Sequence, residues 1–274
     1  MGAVEVGNVI DRNCSERSAI ADGAISEEHS SAANGKREII AQELARDGVS
    51  FRTGNEMRSI LGTEILNAWS AFAASWDDLG MDSYMADGGR YRRRRFAVFT
   101  AKDGFVQRAT HQPHYQSRDY NPVNGGLERW FLPMETATVE NHFARRLLGC
   151  CTMLFDLYAG QEDLSSRWHI EMHQFRIEAT ATETGSPTPE GAHRDGVDFV
   201  SVMLIDRINV SSGVTQIYDP SGKPLGEFTL TNPLDTVFLD DRRVFHGVTP
   251  IRPLDPTMKT FRDVLVLTYR RICN

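Results

Sequence analysis

The sequence predicts a mainly β protein in which a double-layered antiparallel jelly roll is flanked by helices. Short apolar segments rich in β-branched residues follow one another from Val197 to Tyr269, and turn-forming residues such as those at 219–223 separate them. Two amphipathic helical patterns precede these segments. With 274 residues, 41% of them hydrophobic, the chain can bury one substantial core.

One domain is predicted, over residues 36–274, with a disordered tail at residues 1–35. The tail is rich in Ser, Ala, Gly and acidic residues, so burial of apolar groups cannot offset the entropy lost on ordering. Within the domain, the jelly-roll core is expected at about 91–110 and 167–271.

The helices are expected within 36–80 and 137–158. Apolar residues recur there at three-four spacing, and the longest predicted helix runs from Asn55 to about Leu79. We expect the helices within 36–80 to support the sheet by packing against it.

The overall charge and the cysteines limit the function classes. A net charge of -7 argues against a general binder of polyanions, so no nucleic-acid partner is expected. The four cysteines form no CxxC pair, which fits a reducing cytoplasm rather than a disulfide framework. No leader and no membrane-spanning run is apparent, so no membrane partner is expected. A homodimer is left open.

The densest charge run is Arg90-Tyr-Arg-Arg-Arg-Arg95, directly before an apolar strand. Charge runs are usually solvated, and we interpret this one as a solvent-exposed strand entrance. The alternative is contact with a nucleic acid or an anionic substrate group.

Three residues form the candidate metal site. His193 and Asp195 are two positions apart where a turn-rich loop enters a predicted strand, and His246 follows a later strand. Two histidines and one carboxylate can occupy one face of an octahedral metal and leave the other face open, as in non-haem Fe(II) oxygenases. No further catalytic side chain is predicted beyond these ligands.

A second His-x-acid pattern lies on the predicted strand from Arg167 to Ala179. Such patterns arise by chance, and along an extended strand His169 and His173 lie about 13 Å apart. We therefore expect that His169 and His173 do not bind one ion together. The alternative is that one of these histidines is a ligand in a different register of the barrel. On the opposite face, Gln174 is a candidate contact for a cosubstrate.

Arg262 opens the last strand-like run of the chain. If the strand after His246 and the Arg262 strand pair as a long-looped hairpin, Arg262 lies several ångströms deeper than the metal, at about 3.3 Å per residue. A guanidinium there suits the far carboxylate of 2-oxoglutarate. Arg270 would overshoot the metal.

With this pattern the sequence resembles the Fe(II)/2-oxoglutarate-dependent dioxygenase superfamily over roughly Tyr91 to Arg271. More narrowly, His193-Arg-Asp-Gly with His246-Gly-Val-Thr-Pro-Ile is similar to bacterial hydroxylases of L-isoleucine, L-leucine and related aliphatic amino acids, some of them N-acylated. The resemblance implies the double-stranded β-helix form of the jelly roll, which is cupin-like.

The resemblance also implies the cofactors and the reaction. Fe(II), 2-oxoglutarate and O2 are expected, with ascorbate as reductant in vitro and release of succinate and CO2. The expected substrate is a free or N-acylated amino acid of the Leu, Ile, Val or Met type, oxidised at carbon or, for Met, at sulfur. The loop from Gln116 to Phe131 is similar to a substrate-enclosing segment of that group. Within it, Arg129 is the candidate contact for the substrate carboxylate, and a structural salt bridge is the alternative.

Two alternatives are kept open by the sequence. One is an enzyme of the same superfamily that acts on a nucleic acid or a protein, for which the arginine run is the supporting feature. The other is a non-catalytic, cupin-like binding module in which His193 and His246 have structural roles.

Overall fold

The computed structural model describes residues 27–102, 104–160 and 167–272. The helices are α1 (Glu27–Asp47), α2 (Gly54–Leu61), α3 (Trp69–Ala74), α4 (Thr136–Val139) and α5 (His142–Ala159), with 3-10 turns at Thr63–Ala68 and Ser75–Asp78. The strands are β1 (Val49–Arg52), β2 (Gly80–Met81), β3 (Arg92–Lys102), β4 (Phe105–Arg108), β5 (His114–Tyr115), β6 (Glu128–Arg129), β7 (Arg167–Ala179), β8 (Phe199–Ile208), β9 (Val210–Ser212), β10 (Thr215–Tyr218), β11 (Pro224–Phe228), β12 (Thr236–Asp240), β13 (Phe245–Val248), β14 (Ile251–Pro253) and β15 (Thr260–Arg271).

The strands form two layers. The large sheet has the order β1-β12-β8-β15-β7-β3-β2, with β4 paired to β3, and the small sheet has the order β11-β10-β13. Ile217 on β10 packs against Val200 and Val237 of the large sheet, which joins the layers through an apolar cluster. The predicted mainly β jelly roll with flanking helices is confirmed.

The helices cover the outer face of the large sheet. Along β7 the side chains alternate, so that Trp168, Ile170 and Met172 enter the same apolar core as α1, α2, α3 and α5. On α5, the ring of Phe155 stacks on Phe199 at 4.7 Å. Among the described helices, none is long and apolar enough to cross a membrane.

The side chain of Asn141 fixes the start of α5, because its Oδ1 accepts the backbone N–H of Phe143 at 2.8 Å. A capping box between Thr53 and Glu56 starts α2 in the same way. The helix predicted over 55–79 is nevertheless broken. At Gly62 the backbone takes φ +92°, which ends α2 and leads into the first 3-10 turn.

Two other predictions about the chain course are wrong. Helix α1 begins at Glu27, so residues 27–35 of the predicted tail are helical, whereas residues 1–26 lie outside the described part of the chain. The strand of His246 does not pair with the strand of Arg262. Instead β13 pairs with β10 in the small sheet and β15 pairs with β7 and β8 in the large one, because the chain changes layer between them.

The arginine run is not a solvated strand entrance. Arg92, Arg94 and Arg95 are less than 9% exposed, and the run is ion-paired within the fold: Arg92 with Asp82 at 2.8 Å, Arg93 with Glu178 at 3.1 Å, and Arg95 with Asp78 and Glu135 at 2.8 Å each. The guanidinium of Arg94 lies 3.6 Å from the ring centroid of Phe131. The feature that favoured a nucleic-acid substrate is therefore not an exposed basic surface.

Two leucines on α5 test the assignment of its buried face. Leu154 is 1% exposed and Leu157 is 39% exposed. Replacing Leu154 by Ala is expected to lower the free energy of unfolding by about 2–5 kcal/mol, since it leaves a cavity in the core. Leu157→Ala, the matched control, is expected to cost less than about 1 kcal/mol. Urea unfolding followed by circular dichroism measures both, and equal losses would contradict the assignment.

Candidate active site

A cavity of about 280 Å³ lies between the two sheets, a volume at the low end of the small-molecule range. Its wall combines strands β7, β8, β13 and β15 with two loops, residues 116–121 and 187–197. The two loops reach the cavity from different parts of the chain, so its lining depends on the folded topology.

The backbone brings His193 and His246 side by side. Each residue's N–H donates to the other's carbonyl oxygen at 2.9 Å, and the two ring centroids are 4.7 Å apart. The bridge attaches the loop before β8 to the edge of the small sheet. Both histidines are less than 9% exposed, and both line the cavity.

Asp195 completes the group. Its carboxylate oxygens lie 3.6 Å from Nε2 of His193 and 3.5 Å from Nε2 of His246. Each of these three residues offers a ligand atom, and those atoms all lie within 4.8 Å of one another. The structure thus brings the three residues predicted as metal ligands together at one point of the cavity wall.

Asp241 shapes the turn that carries Asp195. Its buried carboxylate accepts the backbone N–H groups of residues 195, 196 and 197 at 3.0, 2.8 and 3.1 Å. Gly196 has φ +79°, and a Cβ there would lie 2.5 Å from the ring of Tyr120. Glycine is therefore required after Asp195 both by the backbone conformation and by the close approach of the ring.

The hydrogen bonds orient His193 for metal binding. Its Nδ1 lies 3.1 Å from the carbonyl oxygen of Gly191, and because a carbonyl only accepts, Nδ1 carries the hydrogen. Nε2 is therefore the atom that is available to a metal ion, as is usual for metal-binding histidines whose second nitrogen donates to the protein. Nδ1 of His246 lies 3.9 Å from the carboxylate of Asp241.

The charges at this point favour a cation. Burial opposes charging of His193, but its hydrogen bond to Asp195 and the charge of that carboxylate outweigh this and raise the pKa of His193 to about 9. Burial and the positive charge of His193 lower the pKa of His246 to about 4. Despite its burial, Asp195 has a pKa well below its ordinary value because His193 donates to it. The carboxylate is thus ionised and one imidazole remains neutral.

These donors fit Fe(II). Two imidazole nitrogens and one carboxylate oxygen are the ligand set of a 2-His-1-carboxylate site, and the adjoining cavity leaves room for ligands on the open face. A bound ion would replace the proton that His193 shares with Asp195, so metal binding is expected to release protons.

A second cluster, formed by His114, Glu171 and His173, lies in the same wall. The side chains of His169 and His173 both approach Glu171, with Nε2 at 3.5 and 3.4 Å from its carboxylate. Among the described residues, however, His169 is not part of the cluster, and that His169 and His173 do not bind one ion together stays a prediction. His114 joins from β5, with Nδ1 at 2.8 Å from Glu171.

Arg94 makes this second cluster a poor metal site. Its Nη2 lies 2.6 Å from Nδ1 of His173, and because a guanidinium only donates, Nδ1 accepts and Nε2 carries the hydrogen toward Glu171. Burial lowers the pKa of His173 to about 3, so the ring is neutral and tied at both nitrogens. A buried arginine beside the cluster also repels a cation.

Arg262 lies in the wall of the cavity on β15 and is 2% exposed. Within the described part of the chain, its Nε and Nη2 atoms have no hydrogen-bond partner. Burial and the neighbouring Arg207 lower its pKa to about 10, which leaves the guanidinium charged at neutral pH. A buried cation without an anion is costly, and the far carboxylate of 2-oxoglutarate would satisfy it.

Arg129 also lies in the cavity wall, on β6, and is 2% exposed. Its Nη2 makes one long hydrogen bond of 3.4 Å to Oε1 of Gln116. Gln116 in turn donates through Nε2 to the backbone and side-chain oxygens of Asp195 at 3.1 and 3.3 Å. The predicted substrate-enclosing loop thus contacts the candidate metal site directly.

The role predicted for Gln174 must be corrected. Its side chain is on the helix-covered face of β7, fully buried, and its Nε2 donates to Oγ of Ser75 at 2.7 Å. The residues on either side, His173 and Phe175, line the cavity instead. Because side chains alternate along a strand, Gln174 cannot contact a cosubstrate from this register.

Several residues of the site were missed by the sequence reasoning. Gln116 and Asp241 hold Asp195 from distant segments. From two other strands, Arg94 donates to His173 and His114 contacts Glu171. The only local signal was the polar, glycine-rich composition of the loop that contains Gln116. The partners of these residues are defined by the folded topology.

Comparison with known proteins gives consistent matches. A family described as 2OG-Fe dioxygenase matches residues 73–268. The 3(1)-hydroxy-L-isoleucine 4-dioxygenase of Pantoea ananatis (strain AJ13355) is 24% identical over 238 residues, which are 84% of this chain and 95% of that protein.

Solved structures match over similar lengths. A bsmA homologue from Methylobium petroleophilum PM1 is 38% identical with a TM-score of 0.76, and the match covers 85% of this chain and 92% of that one. The Fe(II)/α-ketoglutarate-dependent dioxygenase TqaL, at 19% identity, shares the fold with a TM-score of 0.69 over 91% of this chain and 92% of its own.

Replacing Asp241 by Ala tests how the turn at Asp195 supports metal binding. The variant loses three backbone hydrogen bonds, so its affinity for Co(II), used as a spectroscopic probe, is expected to fall by about 10- to 100-fold. Asp219→Ala is the matched control, since Asp219 accepts backbone N–H groups in an exposed turn. Titration of the metal-free proteins measures both affinities, and unchanged binding by Asp241→Ala would refute the role of this turn.

Proposed function

The chain belongs to the 2OG-Fe dioxygenase family and is a 2-oxoglutarate-dependent enzyme, and we propose that it hydroxylates the side chain of a free or N-acylated aliphatic L-amino acid. The substrate would be of the Leu, Ile, Val or Met type, and a Met-type substrate would be oxidised at sulfur. The observation that carries the proposal is that one small cavity holds the two histidines and the carboxylate together with Arg129 and Arg262, two buried arginines that are incompletely hydrogen-bonded.

The residues would divide the work as follows. His193, Asp195 and His246 would hold Fe(II), and Arg262 would bind the far carboxylate of 2-oxoglutarate. When bound, the metal and the cosubstrate supply the oxidising power from O2, with release of succinate and CO2. Arg129 would orient the substrate through its carboxylate, so that one C–H bond faces the metal and other bonds are kept away.

The cavity suits an aliphatic side chain in size and lining. Apolar side chains from β8, β13 and β15 and from the loop before β8 form part of its wall: Val197, Val200, Val202, Val248, Val264 and Val266. A nucleic acid or a protein substrate would need an open groove. The arginine run, which was the feature in favour of a nucleic acid, forms ion pairs inside the fold instead. The name of the Pantoea relative, which acts on a hydroxylated isoleucine, supports the same substrate class.

The direct test is succinate formation by protein purified without oxygen and supplied with Fe(II), 2-oxoglutarate, ascorbate and O2. A panel of free and N-succinyl amino acids is compared with no substrate. We expect one aliphatic member to stimulate turnover. Asp195→Ala is expected to abolish it, and Asp219→Ala, in an exposed turn, is expected to retain it. If only slow turnover occurs whichever amino acid is added, the amino-acid part of the proposal fails.

Replacing Arg262 by Met tests the cosubstrate site. The substitution keeps much of the side-chain volume but removes the buried cation, so the KM for 2-oxoglutarate is expected to rise by about 30-fold or more. Arg270→Met on the same strand is the comparison, because Arg270 also borders the cavity but is exposed to solvent. Its KM for 2-oxoglutarate is expected to change by less than about 3-fold. Steady-state kinetics at saturating substrate decide between the two arginines.

A further inference from the structure

The cavity wall contains charged groups of both signs, and most of them have partners. Arg92 is paired with Asp82, and Arg94 donates to His173. Glu171 is surrounded by three imidazoles, whose hydrogen bonds hold its pKa well below the ordinary value in spite of burial. Asp195 belongs to the candidate metal site, Arg262 faces the proposed cosubstrate, and Arg270 borders the cavity but is exposed to solvent. Two buried charged groups remain.

Glu190 is the first of these two groups. Its side chain is 7% exposed and lines the cavity, and among the described residues its Oε2 has no hydrogen-bond partner. The other oxygen, Oε1, lies 3.5 Å from Nε2 of His193. One oxygen thus has a single long contact and the other has none. A buried carboxylate so short of donors is costly unless a cation binds to it.

The loop around Glu190 is held in place. Thr188 Oγ1 accepts the backbone N–H of Val248 at 3.0 Å and donates to the carbonyl oxygen of the same residue at 3.2 Å. The backbone N–H of Gly191 donates to the carbonyl oxygen of Thr188 at 2.9 Å, which closes the turn that carries Glu190. The backbone of the turn that carries Glu190 is thus held against β13.

Glu190 does not belong to the metal-binding group. The ligand atoms of His193, Asp195 and His246 lie within 4.8 Å of one another, and among the described residues Glu190 is not part of that group. A role as a fourth ligand would also use up part of the face that O2 and the cosubstrate need.

Arg129 is the second group. In the part of the chain that the structure describes, its buried Nε has no hydrogen-bond partner, and Nη2 makes only the long bond to Gln116. Burial lowers the pKa of Arg129, whereas the negative charges of Glu190 and Glu171 raise it. Both carboxylates are therefore close enough to Arg129 to interact with its charge. One cavity therefore presents an incompletely paired cation and an incompletely paired anion.

We propose that Glu190 accepts the α-ammonium group of the substrate while Arg129 binds its α-carboxylate, so that the enzyme takes free α-amino acids and rejects N-acylated ones. The inference rests on the proposed amino-acid oxidation and narrows its substrate class. An N-acylated amino acid has a neutral amide in place of the ammonium and leaves Glu190 unpaired. An N-succinyl group would in addition bring a second carboxylate toward Glu190.

Glu190→Gln tests this assignment because it removes the charge and keeps the shape. The proteins are loaded with Fe(II) and 2-oxoglutarate and given L-leucine, L-isoleucine, L-valine and L-methionine, each also as its N-acetyl and N-succinyl derivative. For the preferred free amino acid, kcat/KM is expected to fall by about 30-fold or more in the variant. The values for the N-acetyl form should stay within about 3-fold, and those for the N-succinyl form should rise.

Two further measurements separate substrate recognition from other roles. Fe(II) affinity should stay within about 3-fold of the wild type, since Glu190 is outside the ligand group. Anaerobic binding of the free amino acid, followed by calorimetry, should weaken in parallel with kcat/KM. Glu183→Gln is the matched control, because Glu183 is exposed on the same connecting segment and is expected to leave all these values unchanged.

Three results would overturn the inference. If the wild type prefers N-acylated substrates, the proposed function stands and the role of Glu190 fails. A loss of Fe(II) affinity in Glu190→Gln would make Glu190 a metal ligand instead. If no amino acid, free or acylated, stimulates succinate formation by a wild type that binds Fe(II), both the proposed function and this inference fail.

Discussion

The pair of backbone hydrogen bonds between His193 and His246 is the constraint on which the site depends. It attaches the loop before β8, a strand of the large sheet, to β13, a strand of the small sheet. The candidate metal ligands therefore lie where the two layers meet, and a bound ion would connect them. Because such a site exists only in the folded chain, metal binding is expected to stabilise the jelly roll as well as to serve the reaction.

The large sheet separates apolar packing from charge. On β7 one face carries Trp168, Ile170 and Met172 into the helix-covered core, and the other carries histidines and Glu171 into the cavity. The buried arginines of β3 are balanced from outside the strand, as when Asp82 pairs with Arg92. A charge run that is costly to bury is thus stabilised by carboxylates that approach from other segments of the chain.

Local patterns predicted what depends on local structure. The spacing of His193 and Asp195 at a strand entrance, and of His246 after another strand, indicated three residues that the fold does bring together. The pairing of the strands and their register could not be predicted equally well. Arg262 was chosen from a hairpin that does not form, yet it faces the cavity because β15 presents alternate residues there. Gln174 was assigned to the wrong face, the error expected when a register is uncertain by one residue.

The remaining failures arise from backbone freedom at one glycine and from contacts between distant segments. The helical period over 55–79 was correct in part, but the backbone at Gly62 was free to adopt a positive φ that no periodicity reveals. The arginine run was taken as solvated because its acidic partners are distant in sequence or lie in loops. Gln116 and Asp241 act on Asp195 through contacts that only the tertiary fold creates.

In the proposed assignment, the reaction and the choice of substrate depend on different parts of the molecule. His193, Asp195 and His246 are held by strand edges and by the hydrogen bonds of Asp241, where small displacements would weaken the proposed metal site. Arg129 and Glu190, by contrast, lie on or beside connecting segments, which tolerate changes in length and sequence without disturbing the sheets. A protein that is 19% identical to this chain shares its fold. A shared fold does not imply that the same residues contact the substrate. A substrate assignment for this chain must rest on the charges that its own loops place in the cavity.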